Sequence, residues 1–255
     1  MPTLIEVNKI SVKYGNNVVF KDISFNIGKS EFFVLLGPSG CGKTTILNLI
    51  AGFIKLHRGK IYLEGKEINK PGPDRGVIFQ NSESALFPWM TVKENAEFGL
   101  KIRNVCSKEE RNRLVQIFLK KVNLEEHQAK YPNELSGGMK QRLQLARTLV
   151  MIPPVILMDE PFANLDAQTR RLMQLELTEI WMDTKNTIFY ITHDIREAVL
   201  LAQKIAVMSS GRNSGAIIKG IYTLNGDYPR DLRKIKYVNL IREIEQSLAE
   251  EVKIG

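Results

Sequence analysis

A glycine-rich stretch early in the chain has the residue types and the spacing that bind a phosphate group. Residues 37–44 read Gly-Pro-Ser-Gly-Cys-Gly-Lys-Thr and satisfy the pattern G-x-x-x-x-G-K-[ST]. Gly40 and Gly42 let the backbone turn its N–H groups inward around an anion. Lys43 can reach the β- and γ-phosphates of a nucleotide, and the Thr44 hydroxyl can ligate Mg²⁺. The alternative is a turn that binds nothing, which is disfavoured because an apolar run precedes the motif and a helix-like stretch follows it.

A second candidate site is a pair of carboxylates at the end of a short apolar run. Residues 155–158 are Val-Ile-Leu-Met, typical of a fully buried strand, and Asp159 and Glu160 follow directly. Ligands of open α/β sheets bind beyond the carboxyl ends of the strands. Taken alone, such a pair is more often a helix-capping turn or a solvated loop. Downstream of a phosphate-binding loop, Asp159 is expected to hold Mg²⁺, and Glu160 to act as general base or to position the attacking water.

A third motif places a serine and two glycines at the start of a predicted helix. Ser136 is a favourable N-cap residue, and Gly137 and Gly138 expose backbone N–H groups beside it. This arrangement is a candidate second anion-binding helix terminus. A merely capped helix is the alternative, and the local sequence favours it. The apolar residues that follow at helical spacing are expected to form the core face of this helix: Met139, Leu143, Ala146 and Val150.

The pattern of the whole chain predicts strands that alternate with helices, which is typical of a mostly parallel sheet with helices on its faces. A mainly helical stretch at about residues 81–150 interrupts the alternation and is interpreted as an inserted subdomain. Strands are predicted at 4–7, 11–14, 18–20, 23–27, 32–36, 59–63, 76–80, 155–158, 187–191 and 205–208, and further helices at 43–51, 167–183 and 195–202.

The composition is that of an ordinary globular protein with a basic excess. The 255 residues are 44% hydrophobic and 25% charged, and their net charge is +8. That charge leaves a nucleic acid, an anionic membrane surface or an anionic ligand as partner. The basic residues form no arm, and the one acidic stretch, residues 151–203, contains the Asp159-Glu160 pair. Cys41 and Cys106 form no disulfide framework, which favours a reducing compartment; neither a signal peptide nor a membrane-spanning apolar run is apparent.

The order of the three motifs resembles that of the ATP-binding subunit of ABC transporters. Leu-Ser-Gly-Gly-Met at 135–139 stands between the phosphate-binding loop and the strand that ends in Asp-Glu. The resemblance extends from residue 4 to about residue 208. It implies an α/β P-loop NTPase with a RecA-like core, an antiparallel β-subdomain and an inserted α-helical subdomain. The implied domains are an ABC ATP-binding domain at 1–225, with its helical subdomain at about 81–150, and a C-terminal helical extension at 226–255.

Four further positions match motifs of that family. Gln80 ends a predicted strand, in the place of the glutamine that senses Mg²⁺ and the transmembrane partner. Asp166, in Asn-Leu-Asp at 164–166, resembles the residue that contacts the site of the other subunit. His193 resembles the histidine that contacts the γ-phosphate, and Tyr14 resembles the aromatic residue that stacks on adenine. Alone, Tyr14 would be interpreted as a core aromatic and His193 as a structural or exposed histidine, but the ordered set of motifs disfavours both alternatives.

The resemblance therefore implies ATP and Mg²⁺ as ligands and a defined set of site residues. The implied catalytic residues are Glu160, His193 and Gln80, and the implied metal ligands are Thr44, Gln80 and Asp159. The implied cofactor-binding residues are Tyr14, Gly37, Pro38, Ser39, Gly40, Cys41, Gly42, Lys43, Thr44, Thr45, Ser136, Gly137, Gly138, Met139 and Asp166.

The resemblance also implies partners. In such proteins a second copy completes a head-to-tail dimer, in which the helix start at 136–139 of one copy closes on the ATP held by residues 37–45 of the other. Transmembrane permease subunits, and indirectly a solute-binding protein, are further implied partners, with the chain peripheral on the cytoplasmic face of the cell membrane. Met139 and the segments 86–95 and 166–170 resemble the subgroup that imports nitrate, sulfonates and taurine.

The alternative function is that of a soluble ABC-type ATPase acting on nucleic acid or ribosomes. The net charge of +8 is compatible with it. Relatives of that kind usually carry two such modules in one chain or long coiled coils between the motifs, and the sequence contains neither pattern. No nucleic acid partner is therefore expected.

Two regions are open to more than one interpretation. The apolar residues at 86–92 can form a cleft for a permease helix or the core of the helical subdomain, and a mixture is expected, with some of them next to Gln80. Residues 230–234 are expected to be a solvated face. Beyond them, apolar residues at helical spacing predict a terminal amphipathic helix: Tyr237, Ile241, Ile244 and Leu248.

Overall fold

The structure is a computed structural model that describes residues 2–15, 17–81, 85–210, 215–226 and 228–249. Residues 82–84, 227 and 250–255, which fall within the predicted helical block and extension, lie outside the described residues. The chain divides into two compact units: residues 1–72 with 185–255, and residues 73–184. The domain boundaries implied by the family resemblance stay predictions.

The strands and helices are numbered here in chain order. The strands are β1 (Thr3–Tyr14), β2 (Asn17–Gly28), β3 (Phe32–Leu36), β4 (Arg58–Leu63), β5 (Lys66–Glu67), β6 (Arg75–Ile78), β7 (Val155–Asp159), β8 (Thr187–Thr192), β9 (Lys204–Met208) and β10 (Ile218–Thr223). The helices are α1 (Lys43–Ala51), α2 (Val92–Arg103), α3 (Lys108–Lys121), α4 (Gly137–Leu149), α5 (Ala167–Thr184), α6 (Ile195–Leu201) and α7 (Ile235–Ala249). Short 3₁₀ turns lie at Glu125–His127 and Pro132–Glu134.

The first unit contains an antiparallel sheet with the strand order β2-β1-β4-β5. The sequence predicts two short strands in the place of β1 and two in the place of β2, whereas each is one long strand. The reason lies at Lys9 and Asp22, polar residues with φ of 47° and 50° that interrupt the apolar alternation. The register between β1 and β2 shifts on either side of Ile10, so the strands continue through these irregularities.

The first unit also holds parallel strands that form its core. β3 pairs in parallel with β8 on one side and with β9 on the other, and β10 runs antiparallel to β9. Every residue of β3 is buried, as the continuous apolar run predicts. Phe33 packs against Phe25 of the antiparallel sheet and Phe189 of β8, with ring centroids 5.0 and 6.0 Å away, and the rings of Phe25 and Phe189 are also 6.0 Å apart. The aromatic cluster therefore joins the two sheets of this unit.

The helices of the first unit follow the sequence pattern closely. α1 has the predicted bounds, because left-handed glycines stand at both ends: Gly42 with φ of 97° and Gly52 with φ of 77°. The amphipathic helix predicted for the tail is α7, and its buried face contains Tyr237, Ile241 and Ile244.

The second unit combines a parallel strand pair with the helical segments. β6 pairs with β7 in parallel, and α2 and α3 pack with α4 around a core that includes Leu100, Leu119 and Leu143. Hydroxyl side chains cap the first two of these helices: the Thr91 hydroxyl accepts from Glu94 N, and Ser107 caps α3 in the same way. In the part of the chain that the structure describes, no helix is long and apolar enough to span a membrane.

Three details differ from the expectations. β6 ends at Ile78, so Gln80 lies in an exposed bend two residues beyond the strand and does not end it. No strand is predicted from the sequence in the place of β5 or β10. Arg230 is only 2% exposed, so the expectation of a solvated face at 230–234 is wrong at that residue, although the Arg233–Asp231 ion pair lies at the surface.

Candidate functional site

The glycine-rich loop connects buried β3 to the start of α1. Its backbone is left-handed at Gly40 (φ 81°) and at Gly42 (φ 97°). A Cβ atom at Gly42 would lie 2.7 Å from Val19 Cγ1 and 2.9 Å from Phe20 Cδ1. The loop therefore rests directly on β2, and only glycine fits at Gly42.

The start of α1 is suited to an anion. The N-cap residue, Gly42, supplies no side-chain hydrogen bond to the helix, so the positive end of the helix dipole is left for another acceptor. Lys43 is 5% exposed, and its ammonium group donates to the carbonyl oxygens of Gly37 (2.8 Å) and Pro38 (2.9 Å). Thr44 is exposed at the first turn. A cation, a hydroxyl and a helix terminus thus converge at this loop.

The neighbouring strand brings His193 to the same edge of the sheet. Leu36 of β3 pairs with Thr192 of β8, so the residues that follow these two strands emerge side by side. His193 is exposed there. The next residue, Asp194, donates its N–H to Thr192 Oγ1 (3.0 Å) and caps α6.

Tyr14 lies at the end of β1, in the hairpin whose other strand contacts Gly42. It is 61% exposed, which excludes the interpretation of Tyr14 as a core aromatic. The first unit thus contains the loop, His193 and an exposed aromatic ring on the β1–β2 hairpin.

In the second unit, the carboxylate pair and Gln80 follow neighbouring parallel strands. Ile78 of β6 pairs with Met158 of β7, so Gln80 and Asp159 lie beyond the same edge of this strand pair. Asp159 and Glu160 are half-buried. Glu160 has φ of 42°, a left-handed conformation that is unfavourable for a residue with a side chain. Strain of this kind is concentrated at functional sites.

The serine-glycine motif and the Asp166 loop lie together in the second unit. Ser136 caps α4, as predicted, by accepting from Met139 N at 3.3 Å.

A Cβ atom at Gly138 would be 3.0 Å from Thr169 Cγ2, which places the start of α4 against the start of α5. Asp166 accepts from the N–H groups of Gln168 and Thr169, and the bonds from Thr169 lower the pKa of this carboxyl group.

Arg170 supports that loop and was not assigned this role from the sequence. Its Nη2 atom donates to the carbonyl oxygens of Ala163 (3.2 Å) and Leu165 (2.9 Å). The loop is also closed by a bond from Ala163 N to the Glu160 carbonyl oxygen. The guanidinium group therefore fixes the turn between Glu160 and Asp166. The contact depends on where those carbonyl groups point, which no sequence pattern around Arg170 indicates.

The second unit also contains an open cleft of about 540 Å³. Leu86 is buried in the core whereas Phe87 lines the cleft, which agrees with a mixture at 86–92; the use of the cleft by a permease helix stays a prediction. The Arg147 guanidinium lies 4.3 Å from the centroid of the Phe87 ring, and burial lowers the pKa of Arg147. Trp89, packed on Phe87, is 69% exposed. The other lining residues include Arg75, Val77, Phe79, Phe98, Arg103, Gln144 and Met151.

Comparisons with known proteins place the chain in a family. A sequence profile of the ABC transporter family matches residues 20–163. An uncharacterized ABC transporter ATP-binding protein of Methanocaldococcus jannaschii is 43% identical over 96% of this chain and 90% of its own length. The taurine import ATP-binding protein TauB of Escherichia coli (strain K12) is 44% identical over 82% of this chain and 80% of its own length. The Fe(3+) ions import ATP-binding protein FbpC of Fusobacterium nucleatum is 45% identical over 83% of this chain and 57% of its own length.

Solved structures agree with this placement. cbiO1 from Clostridium perfringens, part of the ABC transporter complex cbiONQ, matches with a TM-score of 0.80 at 26% identity, over 100% of this chain and 99% of that one. The ATP-binding cassette MJ0796, solved as a dimer in a post-hydrolysis state bound to ADP and Pi, matches with a TM-score of 0.71 at 28% identity, over 88% and 100%.

The fold and the phosphate-binding loop define the class of this protein as an α/β P-loop ATPase. The chain belongs to the ABC transporter family, and within it to the ATP-binding subunits. The family resemblance and the fold class implied by the sequence are both confirmed. The individual site residues stay predictions.

Gly137→Ala and Gly138→Ala form a matched pair that tests the contact between α4 and α5. Alanine stabilises a helix relative to glycine by up to about 1 kcal/mol. We expect this increase in stability for Gly137→Ala, because a Cβ atom there would meet Leu165 Cδ2 at an ordinary contact distance of 3.8 Å. We expect no increase for Gly138→Ala, because a Cβ atom there would lie only 3.0 Å from Thr169 Cγ2. Thermal unfolding measures both. Adding Thr169→Ser should restore the gain to Gly138→Ala; equal increases in Tm for the two single variants would contradict the contact.

Proposed function

We propose that the chain is the ATP-hydrolysing subunit of a membrane importer, in which ATP-driven closure of two copies powers the uptake of a small solute. The observation that carries the proposal is the loop at 37–42, which leads from a buried strand to a helix start without a side-chain cap. Relatives named for taurine and Fe(3+) import support the direction of transport.

ATP binding is assigned to the loop, to α1 and to Tyr14. Phosphate oxygens would accept from the backbone N–H groups of the loop and of the first turn of α1. The Lys43 ammonium is already held over the loop by the carbonyl groups of Gly37 and Pro38, so it needs little rearrangement to donate to a phosphate. The exposed ring of Tyr14 offers its face to the adenine base.

Hydrolysis is assigned to Glu160 and His193. Glu160 would accept a proton from the attacking water or orient it, and the exposed His193 imidazole would donate to a γ-phosphate oxygen. A chain that contacts the γ-phosphate distinguishes ATP from ADP, and this difference in affinity allows ATP to change the conformational equilibrium.

The donor set is suited to Mg²⁺ bound together with ATP. Bound Mg²⁺ would neutralise charge on the phosphate oxygens, with Thr44, Gln80 and Asp159 as its assigned protein ligands. Hydroxyl, amide and carboxylate oxygens are the ligands that Mg²⁺ uses beside phosphates. Within the described ranges, no group of three or more His, Cys, Asp or Glu side chains could hold a metal ion by itself.

A second copy of the chain is the proposed partner at the nucleotide. Ser136 and Gly137 are exposed at the start of α4, and Asp166 is exposed nearby, so the second unit presents this corner to solvent. We infer that it closes on the ATP held by the loop of the other copy. The dimeric form of the related cassette MJ0796 supports this arrangement.

Permease subunits are the proposed partner at the cleft of the second unit. Its wall combines aromatic rings, such as Phe79 and Phe87, with the guanidinium groups of Arg103 and Arg147. An amphipathic helix fits such a groove with its apolar face. Docking there would hold the chain on the cytoplasmic face of the membrane as a peripheral subunit. A solute-binding protein would be an indirect partner, through the permease.

The proposed solute is of the nitrate, sulfonate or taurine kind. Met139 and the segments 86–95 and 166–170 support this choice, together with the TauB relative. The solute itself is selected by the binding protein and the permease, so ligand screening of the copurified binding protein identifies it.

Lys43→Ala should weaken ATP binding roughly 10- to 100-fold, because it removes a charge-assisted hydrogen bond of about 1.5–3 kcal/mol to the phosphates. Isothermal titration calorimetry with a non-hydrolysable ATP analogue measures the affinity for nucleotide. Lys55→Ala, which removes an exposed lysine, is the control. An unchanged affinity in Lys43→Ala would exclude the phosphate role of the loop.

Glu160→Gln should retain ATP binding and lower the rate of hydrolysis by roughly 10²- to 10⁴-fold, because the amide cannot accept the proton. It should also accumulate as an ATP-bound dimer, which size-exclusion chromatography with and without ATP detects. Glu179→Gln, on α5 of the same unit, is the matched control. Near-normal turnover in Glu160→Gln would remove Glu160 from this role.

Phe79→Asp should abolish copurification with permease subunits from detergent-solubilised membranes of the native cells, because it puts a charge into the cleft. Ile117→Asp is the control, since Phe79 and Ile117 are comparably exposed, at 43% and 40%, and Ile117 does not line the cleft. Mass spectrometry identifies the copurifying proteins. Salt-sensitive binding of DNA or RNA without a membrane partner would favour the nucleic acid alternative over the proposed function.

A further inference from the structure

A segment near the C-terminus caps the end of α6 completely. The last carbonyl groups of an α-helix have no partner within the helix and need one from elsewhere. At α6 these partners come from residues 228–230: Arg230 Nη1 donates to the carbonyl oxygens of Val199 (3.1 Å), Leu200 (3.4 Å) and Ala202, and the Tyr228 hydroxyl donates to that of Leu201 (3.0 Å).

The guanidinium group of Arg230 is itself held firmly. It is 2% exposed and lies 4.3 Å from the centroid of the Tyr228 ring. Its Nη2 atom donates to the Leu224 carbonyl oxygen (3.4 Å). Burial raises the pKa of Tyr228 to about 12, so its hydroxyl stays a neutral donor. A buried cation at the C-terminal end of a helix is also favoured by the helix dipole.

The other end of α6 begins at the proposed γ-phosphate contact. The N-cap residue, Asp194, directly follows His193 and accepts from the N–H groups of Arg196 (2.8 Å) and Glu197 (3.0 Å). Buried Glu197 also accepts from the Tyr190 hydroxyl at 2.8 Å, which ties the helix to β8. α6 contains only seven residues, so its two ends are about 10 Å apart and move together.

We propose that Tyr228 and Arg230 are positioning residues that hold His193 through α6. The C-terminal segment would then set how the histidine meets the γ-phosphate, although it contributes no atom to the nucleotide site. This inference rests on the proposed function, because it assumes that His193 acts in hydrolysis. A segment that only anchored α7 would stabilise the fold without affecting His193, and the experiments below separate these two cases.

The first experiment is a double-mutant cycle in ATP hydrolysis. Arg230→Gln should lower kcat about 10-fold with little change in KM, measured well below the Tm of the variant. Arg233→Gln is the matched control, because Arg233 is exposed and pairs only with Asp231 among the contacts of the described residues. In a His193→Ala background, Arg230→Gln should cause no further loss, because both changes remove the same contribution.

The second experiment observes the histidine directly. The chain contains 3 histidines, so the imidazole signals of His57, His127 and His193 can be assigned in an NMR spectrum by substitution. Tyr228→Phe removes one hydroxyl and should shift or broaden the His193 signals while those of His57 and His127 stay in place. Arg230→Lys should give a smaller change than Arg230→Gln. These mild variants also serve if Arg230→Gln does not fold.

The outcomes distinguish the inference from the function on which it rests. A wild-type chain that hydrolyses no ATP would contradict the proposed function, whereas the NMR signals would still report on the link to His193. A hydrolysing chain in which Arg230→Gln leaves kcat unchanged, or lowers it equally in the His193→Ala background, would overturn the inference. Unmoved His193 signals in Tyr228→Phe and Arg230→Lys would overturn it as well.

Discussion

Parallel strand pairing decides which residues of this chain meet, because neighbouring parallel strands in register end at the same edge. The pairing of Leu36 with Thr192 brings the phosphate-binding loop and His193 together, although more than 140 residues separate them. The pairing of Ile78 with Met158 does the same for Gln80 and Asp159. β3, β7 and β8 are almost fully buried, so the ends from which the glycine-rich loop, Asp159 and His193 emerge are rigid. Each unit thus presents its own predicted site residues from a fixed register.

Left-handed residues shape the backbone beyond those edges, and two of them, Gly42 and Glu160, are left-handed for different reasons. At Gly42 the conformation and the contact with β2 both require glycine, so the position is explained by sterics alone. Glu160 also has a positive φ, of 42°, but it carries a side chain, and this costs of order 1–3 kcal/mol. Stability would favour glycine there, so the carboxylate needs another explanation. The turn that Arg170 fixes maintains this strain, and the proposed role of Glu160 in hydrolysis would account for a carboxylate at this position.

The local sequence pattern is sufficient to predict an element where a buried apolar run is bounded by glycines. It is insufficient where contacts with residues far away in the sequence determine the conformation or the burial of a residue. β3 and α1 have the predicted bounds, because an apolar run and flanking glycines define them. The sequence predicts two strands in the place of β1, whereas the backbone passes through Lys9 with a positive φ and continues as one strand. Tyr14 is exposed because it lies at the end of the β1–β2 hairpin, and its residue type alone does not indicate this. Arg230 was expected in solvent because charged residues usually are, yet carbonyl groups far away in sequence bury it.

The burial of Arg230 follows from the shortness of α6. A helix of seven residues is too short to be stable through its own hydrogen bonds, so it depends on packing and on caps at both ends. Asp194 provides the first cap from within the helix segment, whereas the carbonyl groups at the other end accept from Tyr228 and Arg230, more than 25 residues further along the chain. The acceptors there are buried, and leaving them unpaired would cost about 1–3 kcal/mol each. A guanidinium group with several donors in one plane is the side chain best suited to satisfy adjacent carbonyl groups at once. The segment at 228–230 therefore belongs to the support of His193 as much as the strand that precedes it.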